Sequence, residues 1–138
     1  MKLEYSNAND LLFNEFEEIK NAHESNFEDY NYESEDKCYA IYEREFTPYV
    51  LKQLRENNKR ELKKIFRFVE KLISSGDFEL ANMVGVTVIE SLYYKNVCFD
   101  FKDTLFIFCG KETLKGFEGC LHEDEKAEWE RHKPAIAA

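Results

Sequence analysis

Glycine and proline are scarce in this chain, five and two in 138 residues. That excludes collagen-like and linker-like architectures, which need backbone freedom or extended stiffness at high density. The four cysteines, Cys38, Cys98, Cys109 and Cys120, contain no C-x-x-C pair, so the spacing of zinc ribbons and dithiol redox motifs is missing. Apolar neighbours around Cys98 and Cys109 instead fit buried thiols in a reducing compartment. No apolar run approaches the roughly 18 residues of a membrane span. The opening Met1-Lys-Leu-Glu-Tyr-Ser-Asn carries no apolar h-region, and a cytoplasmic protein is the expectation. Cations are in deficit as well. A net charge of -9 and a pI near 4.9 oppose direct contact with nucleic acid or an anionic membrane, which take clustered Lys and Arg.

Motifs of catalysis are equally thin. There is no G-x-S-x-G, P-loop or G-x-G-x-x-G, and Gly116-Phe-Glu-Gly119 lacks the flanking strand and the Lys-Ser/Thr pair. His122-Glu-Asp-Glu125 holds ligand-type residues, but neither His132 nor any neighbour completes a metal spacing, and a solvated helix start is the plainer reading. His23-Glu24 lacks the second histidine of H-E-x-x-H and reads as an exposed polar residue at a helix end. Cys120 and His122 adjoin in sequence, whereas a nucleophile and its base meet from distant segments. The expectation is no catalytic residue, no cofactor, no metal and no enzymatic activity.

What the chain does hold is aromatic mass and helical periodicity. Twelve Phe and eight Tyr far outnumber the seven glycines and prolines, enough for one compact domain over residues 1–138. Asn9 or Asp10 caps a first helix to about Ala22, with Leu12, Phe16 and Ile19 at helical spacing, followed by a loop over 23–36. Thr47-Pro48 signals a helix start, with Thr as N-cap and Pro in the first turn, running to about Asn57.

The stretch from Lys59 to Ser75 is the clearest helix: Leu62, Ile65, Phe66, Val69, Leu72 and Ile73 form one stripe, and Gly76 stands ready as its left-handed stop. Its opposite face, Arg60, Lys63, Lys64, Arg67 and Lys71, is basic. It reads as solvated, or as a seat for the chain's own acidic arm. Asp77 caps a further helix from Phe78 to about Tyr94, although Val84-Gly-Val86-Thr-Val88-Ile89 alternates as a strand would. Residues 97–109 are ambiguous in the same way. Residues 111–120 and 123–133 read as two short helices, the second packing Trp129 on the body. The fold expected is an all-α, single-domain helical pile of about six to eight helices, with an α+β arrangement of short strands within 84–108 as the alternative.

Charge divides the chain at residue 46. Residues 1–46 carry 13 acidic and four basic side chains, while residues 47–138 carry 15 of each. The excess is concentrated in an acidic segment interleaved with aromatics, distinct from a helical core over 47–133. A flexible acidic linker would need no tyrosines. Their presence points to an interface, since Tyr supplies contact area at small entropic cost. The partner-binding residues expected are Glu28, Asp29, Tyr30, Tyr32, Glu33, Glu35, Asp36, Tyr39, Tyr42 and Glu43.

The pattern Thr47-Pro48-Tyr49-Val50-Leu51, Ile65-Phe66-Arg-Phe68-Val69-Glu70, Ser75-Gly76-Asp77 and Val88-Ile89-Glu90-Ser-Leu92, closing with Gly110-Lys-Glu112-Thr113, resembles a family of small acidic all-helical bacterial immunity-like domains over about residues 47–121. The resemblance implies an antitoxin, encoded beside a secreted or contact-delivered toxin in bacterial competition, and brings no catalytic residues. The acidic segment would then occlude a basic toxin domain, plausibly a nuclease, its carboxylates standing in for phosphates. A non-enzymatic scaffold or regulatory adaptor is the competing expectation, and there the acidic arm would be dispensable.

Overall fold

The computed structural model describes residues 1–25 and 37–134. Among them the chain is all-α, with eleven α-helical segments that two π-helical joins merge into nine helices, and no strand. A short 3-10 turn (Tyr5–Asn7) leads into α1 (Ala8–Glu15) and α2 (Glu17–Ser25). After the undescribed segment, α3 (Lys37–Ile41) passes through a π-helical turn (Tyr42–Phe46) into α4 (Thr47–Glu56) without a break. Then come α5 (Lys59–Ile73) and α6 (Phe78–Val84), the latter running through a second π segment (Gly85–Glu90) into α7 (Ser91–Tyr94). The chain closes with α8 (Val97–Asp100), α9 (Lys102–Phe108), α10 (Lys111–Cys120) and α11 (Glu123–His132).

Helix α5 is the hub, packing against α4, α6, α9 and α10. Its six buried side chains, Leu62, Ile65, Phe66, Phe68, Val69 and Leu72, carry the apolar stripe the sequence displays. Local chemistry sets its ends. Asn57, left-handed at φ 51°, closes α4, and the Asn58 side chain accepts the Glu61 N–H to open α5. Gly76 at φ 88° makes the turn into α6, where the Asp77 carboxylate accepts the Leu80 N–H at 3.1 Å. The core runs continuously across residue 46: Leu12, Phe16, Ile19, Ile41 and Phe46 are buried in the same cluster as Phe66, Val88 and Trp129.

Three expectations of local structure need correction. The first helix does not run unbroken to Ala22. At Phe16 the backbone leaves helical geometry (φ -125°, ψ 88°) and drives the ring among Phe46, Tyr49 and Phe68, a gain that outweighs the helical bonds lost. Thr47 is not the N-cap of α4, although Pro48 lies in its first turn as expected. Thr47 is helical, and its hydroxyl donates 2.7 Å to the Thr87 carbonyl instead of capping. The π turn just before it is where a continuous helix accommodates proline's missing donor, for the Thr47 N–H reaches five residues back to Tyr42. The helix expected from Phe78 does continue through the alternating run at 84–89, because burial of Val84, Val88 and Ile89 against neighbouring helices overrides β propensity. Finally, His23 is not exposed: it is buried against Phe13 at 5.1 Å, with Nδ1 2.7 Å from Glu45.

Other details follow the sequence. His122 opens α11 in a capping box with Glu125. Trp129 is buried, stacks 4.6 Å from Phe106 and donates to Glu118 at 2.9 Å. Cys38 and Cys98 are buried, and burial pushes the Cys98 thiol up to about 12, away from the reactive thiolate.

Candidate partner-binding face

Of the residues expected to bind a partner, Glu28, Asp29, Tyr30, Tyr32, Glu33, Glu35 and Asp36 lie outside the described residues. The other three are placed differently from one another. Tyr42 is fully buried, its hydroxyl donating 2.6 Å to the Ala8 carbonyl, and burial pushes its phenol far above the ordinary range. It is a core residue, since it opens the π turn on the side that its hydroxyl ties to α1. Tyr39 and Glu43, by contrast, sit where α3 and its π turn meet α6 and α7. Asn82 donates to the Tyr39 hydroxyl oxygen at 3.4 Å, and Ser91 donates to Glu43 at 3.4 Å.

Around Tyr39 the surface is concave. Tyr5, Tyr39, Phe78, Glu79 and Asn82 line a hollow of about 470 Å³, with the Tyr5 and Tyr39 rings 6.4 Å apart. Phe78 stands at the rim with 82% of its surface exposed, a large apolar side chain in the first turn of α6 that the core does not use. Asn82 also borders a second hollow of about 270 Å³, which continues past Val86 and Glu90 to Gly116 and Gly119 of α10. Glu43, Glu79 and Glu90 are exposed along this path, and no cation is among the described residues that line either hollow. Aromatic floor, apolar rim and uncompensated carboxylates together form a surface suited to a cationic partner with an apolar projection.

Both π segments lie under this face, where they pack on each other beside the buried hydrogen bond from Thr47, the first residue of α4, to Thr87. Thr87 in turn donates to the Met83 carbonyl at 2.7 Å. Such segments recur at functional sites because they displace side chains from the α-helical positions around them.

Over residues 9–134 the chain matches the profile of a family described as a domain of unknown function (DUF7674). The chain belongs to that family. No curated protein and no solved structure matches it. The DUF7674 span reaches from α1 to α11, so the family unit includes helices on both sides of the charge boundary at residue 46.

Asp77 fastens the DUF7674 face to the amino-terminal turn. Its carboxylate accepts the Tyr5 N–H at 3.0 Å and the Leu80 N–H at 3.1 Å, and these backbone donors, Tyr5 first, hold its carboxyl below the ordinary 3.8. A carboxyl with a depressed folded-state value contributes stability that is present above the unfolded value and is lost as pH falls through the folded one. Unfolding stability is therefore expected to decline on acidification below about pH 4. Asp77→Asn, which keeps an acceptor oxygen but no titrating group, is expected to flatten that acid limb in a urea-denaturation series across pH. An unchanged limb would show that other carboxylates carry it. Sequence reasoning singled out Asp77 as a cap and missed Tyr5, Phe78, Glu79 and Asn82 as site residues. The available signal was Phe78 itself, an aromatic in a first helical turn outside the apolar stripe.

Proposed function

We propose that this chain is a non-enzymatic binding protein that captures a cationic protein domain on the Tyr5, Tyr39, Phe78 face, and that it acts as an immunity protein whose partner is a toxin, a nuclease with an electropositive substrate groove. The observation that carries the reading is Phe78, exposed beside an aromatic hollow whose flanking charges, Glu43, Glu79 and Glu90, are all negative. An exposed aromatic next to a preformed concavity is the make-up of a binding hot spot. The acidic run from Glu28 to Asp36 directly precedes α3 in sequence, which places five carboxylates and no cation next along the chain to this face. Inhibition by occlusion needs geometry and charge and no chemistry of its own. Long-range attraction speeds the encounter within a Debye length of about 8 Å at physiological salt, and the aromatics slow release.

The test is coexpression with the product of an adjacent toxin reading frame, scored by growth rescue and by affinity of the purified pair. Affinity is expected to fall as salt rises. Phe78→Ala is expected to weaken binding about 30-fold, the effect of removing a hot-spot anchor of roughly 2 kcal/mol. Glu43→Lys/Glu79→Lys/Glu90→Lys is expected to abolish rescue. Binding that survives both variants and high salt would reject this face and favour the scaffold or adaptor reading.

A further inference from the structure

The exposed face of α5 carries charge of the opposite sign, and the structure shows why it is so pure. Arg60, Lys63, Lys64, Arg67 and Lys71 are all exposed along about 16 Å of helix. Arg60 and Lys64, Lys63 and Arg67, and Arg67 and Lys71 are like-charged pairs at i, i+4, an arrangement that works against the helix. A solvated helix face ordinarily intersperses acids among such cations. The two acidic residues of α5 are engaged elsewhere: Glu61 accepts from the Tyr49 hydroxyl at 2.7 Å, and Glu70 accepts from the Glu112 and Thr113 N–H groups and the Thr113 hydroxyl. None of the five cations forms an ion pair with a described carboxylate.

At its carboxyl end the row runs into a hollow of about 580 Å³, where Arg67 and Lys71 face Phe108 and Gly110. Among the described residues that line it the carboxylates are Glu15 and Glu70, and the oxygens of Glu70 are held by α10. We infer that the α5 face and this hollow form a second docking surface, for an acidic protein segment that places carboxylates along Arg60 to Lys71 and an aromatic side chain against Phe108.

Charge complementarity selects the occupant. Nucleic acid presents one charge per about 1.7 Å of duplex and extends beyond a 16 Å row onto a chain whose net charge is -9. A short acidic segment ends where the cations end. The surface does not depend on the acidic face described above, and its loss would leave capture of a cationic partner intact.

Fluorescence anisotropy on the full chain tests this with a labelled hexapeptide, Glu-Asp-Phe-Glu-Asp-Glu, a counterpart bearing serine for phenylalanine, and a labelled hexamer of thymidine. The aromatic peptide is expected to bind most tightly of the three, with an affinity that declines as salt rises. Lys63→Gln/Arg67→Gln/Lys71→Gln, all surface changes, is expected to weaken it at least tenfold with an unchanged circular dichroism spectrum. Phe108→Ala is expected to erase the advantage of the aromatic peptide over the serine one. The proposal is overturned if neither peptide binds, if the triple variant binds as well as the parent, or if the oligonucleotide binds more tightly than either peptide.

Discussion

Phe16→Ala is expected to lower unfolding stability by about 3–5 kcal/mol, a large part of the 5–15 kcal/mol that holds a domain of this size together. The ring is 1% exposed and lies 5.3 Å from Phe46, 5.9 Å from Tyr49 and 5.2 Å from Phe68, two of these contacts edge-on. The Lys64 ammonium approaches its centroid at 5.0 Å. One side chain from the break between α1 and α2 is thus wedged among residues of α4, its π turn and α5. Alanine leaves a void the size of a phenyl group where three elements meet, and the surrounding rings cannot close over it without leaving their own geometry. Phe16→Leu refills much of the volume without the edge-to-face contacts, so its cost is expected to fall near 1–2 kcal/mol. Urea denaturation monitored by far-ultraviolet circular dichroism measures both. A loss under 1 kcal/mol for the alanine variant would mean that α1 and α2 are not coupled to the core as the structure places them.

The second large effect lies at the start of α10. Its N-cap is Gly110, which has no side chain to satisfy the first turn. That task falls to Glu70 of α5, forty residues earlier in the chain, which accepts from Thr113 N at 2.8 Å, Glu112 N at 3.2 Å and Thr113 Oγ1 at 2.9 Å. Glu70→Ala strands these donors, with Thr113 fully buried, and is expected to cost about 2–4 kcal/mol. Gly110→Ala is expected to cost a comparable amount by a different route, because a Cβ there would lie 2.5 Å from the Glu70 carboxylate carbon and push the cap away. The pair is diagnostic. Once Glu70 is alanine, the space at Gly110 is open, so the double variant is expected to be no less stable than Glu70→Ala alone. Additive losses in that cycle would show that Gly110 is required for some reason other than the approach of Glu70.

The parts of the fold legible in the sequence are those governed by neighbours along the chain. Helix α5, the left-handed Gly76, the Asp77 cap and the anchoring of Trp129 each depend on a few adjacent residues, and each stands as the pattern implies. What could not be read depends on contacts from far away. The break at Phe16 is set by rings 30 to 52 residues downstream, and His23 is buried because the π turn delivers Glu45 to it. Tyr42 and Tyr39 share a composition and a neighbourhood, yet one is core and the other surface, a distinction decided by the closing of α1 over α3. The candidate site is split in the same way. Acidity near the amino end was legible as composition, but the hollow that joins Tyr5 to Phe78 forms only when the amino-terminal turn is tied to α6 through Asp77.

The paired π turns leave a trace in the residue spacing itself. Cys38, Tyr42, Phe46, Val50 and Leu54 are all buried and fall at strict intervals of four, as do Leu80, Val84, Val88 and Leu92. At 100° per residue, the ends of the first series would sit about 160° apart on an uninterrupted α-helix, facing opposite ways, and the ends of the second about 120° apart. A single five-residue turn retards the winding by roughly one residue, about 100°, and swings both series back toward one side. An apolar tetrad rhythm sustained over three or four steps is therefore a phase slip written in the primary structure, and it marks where a long rod has been re-clocked to keep one flank inward along its whole length.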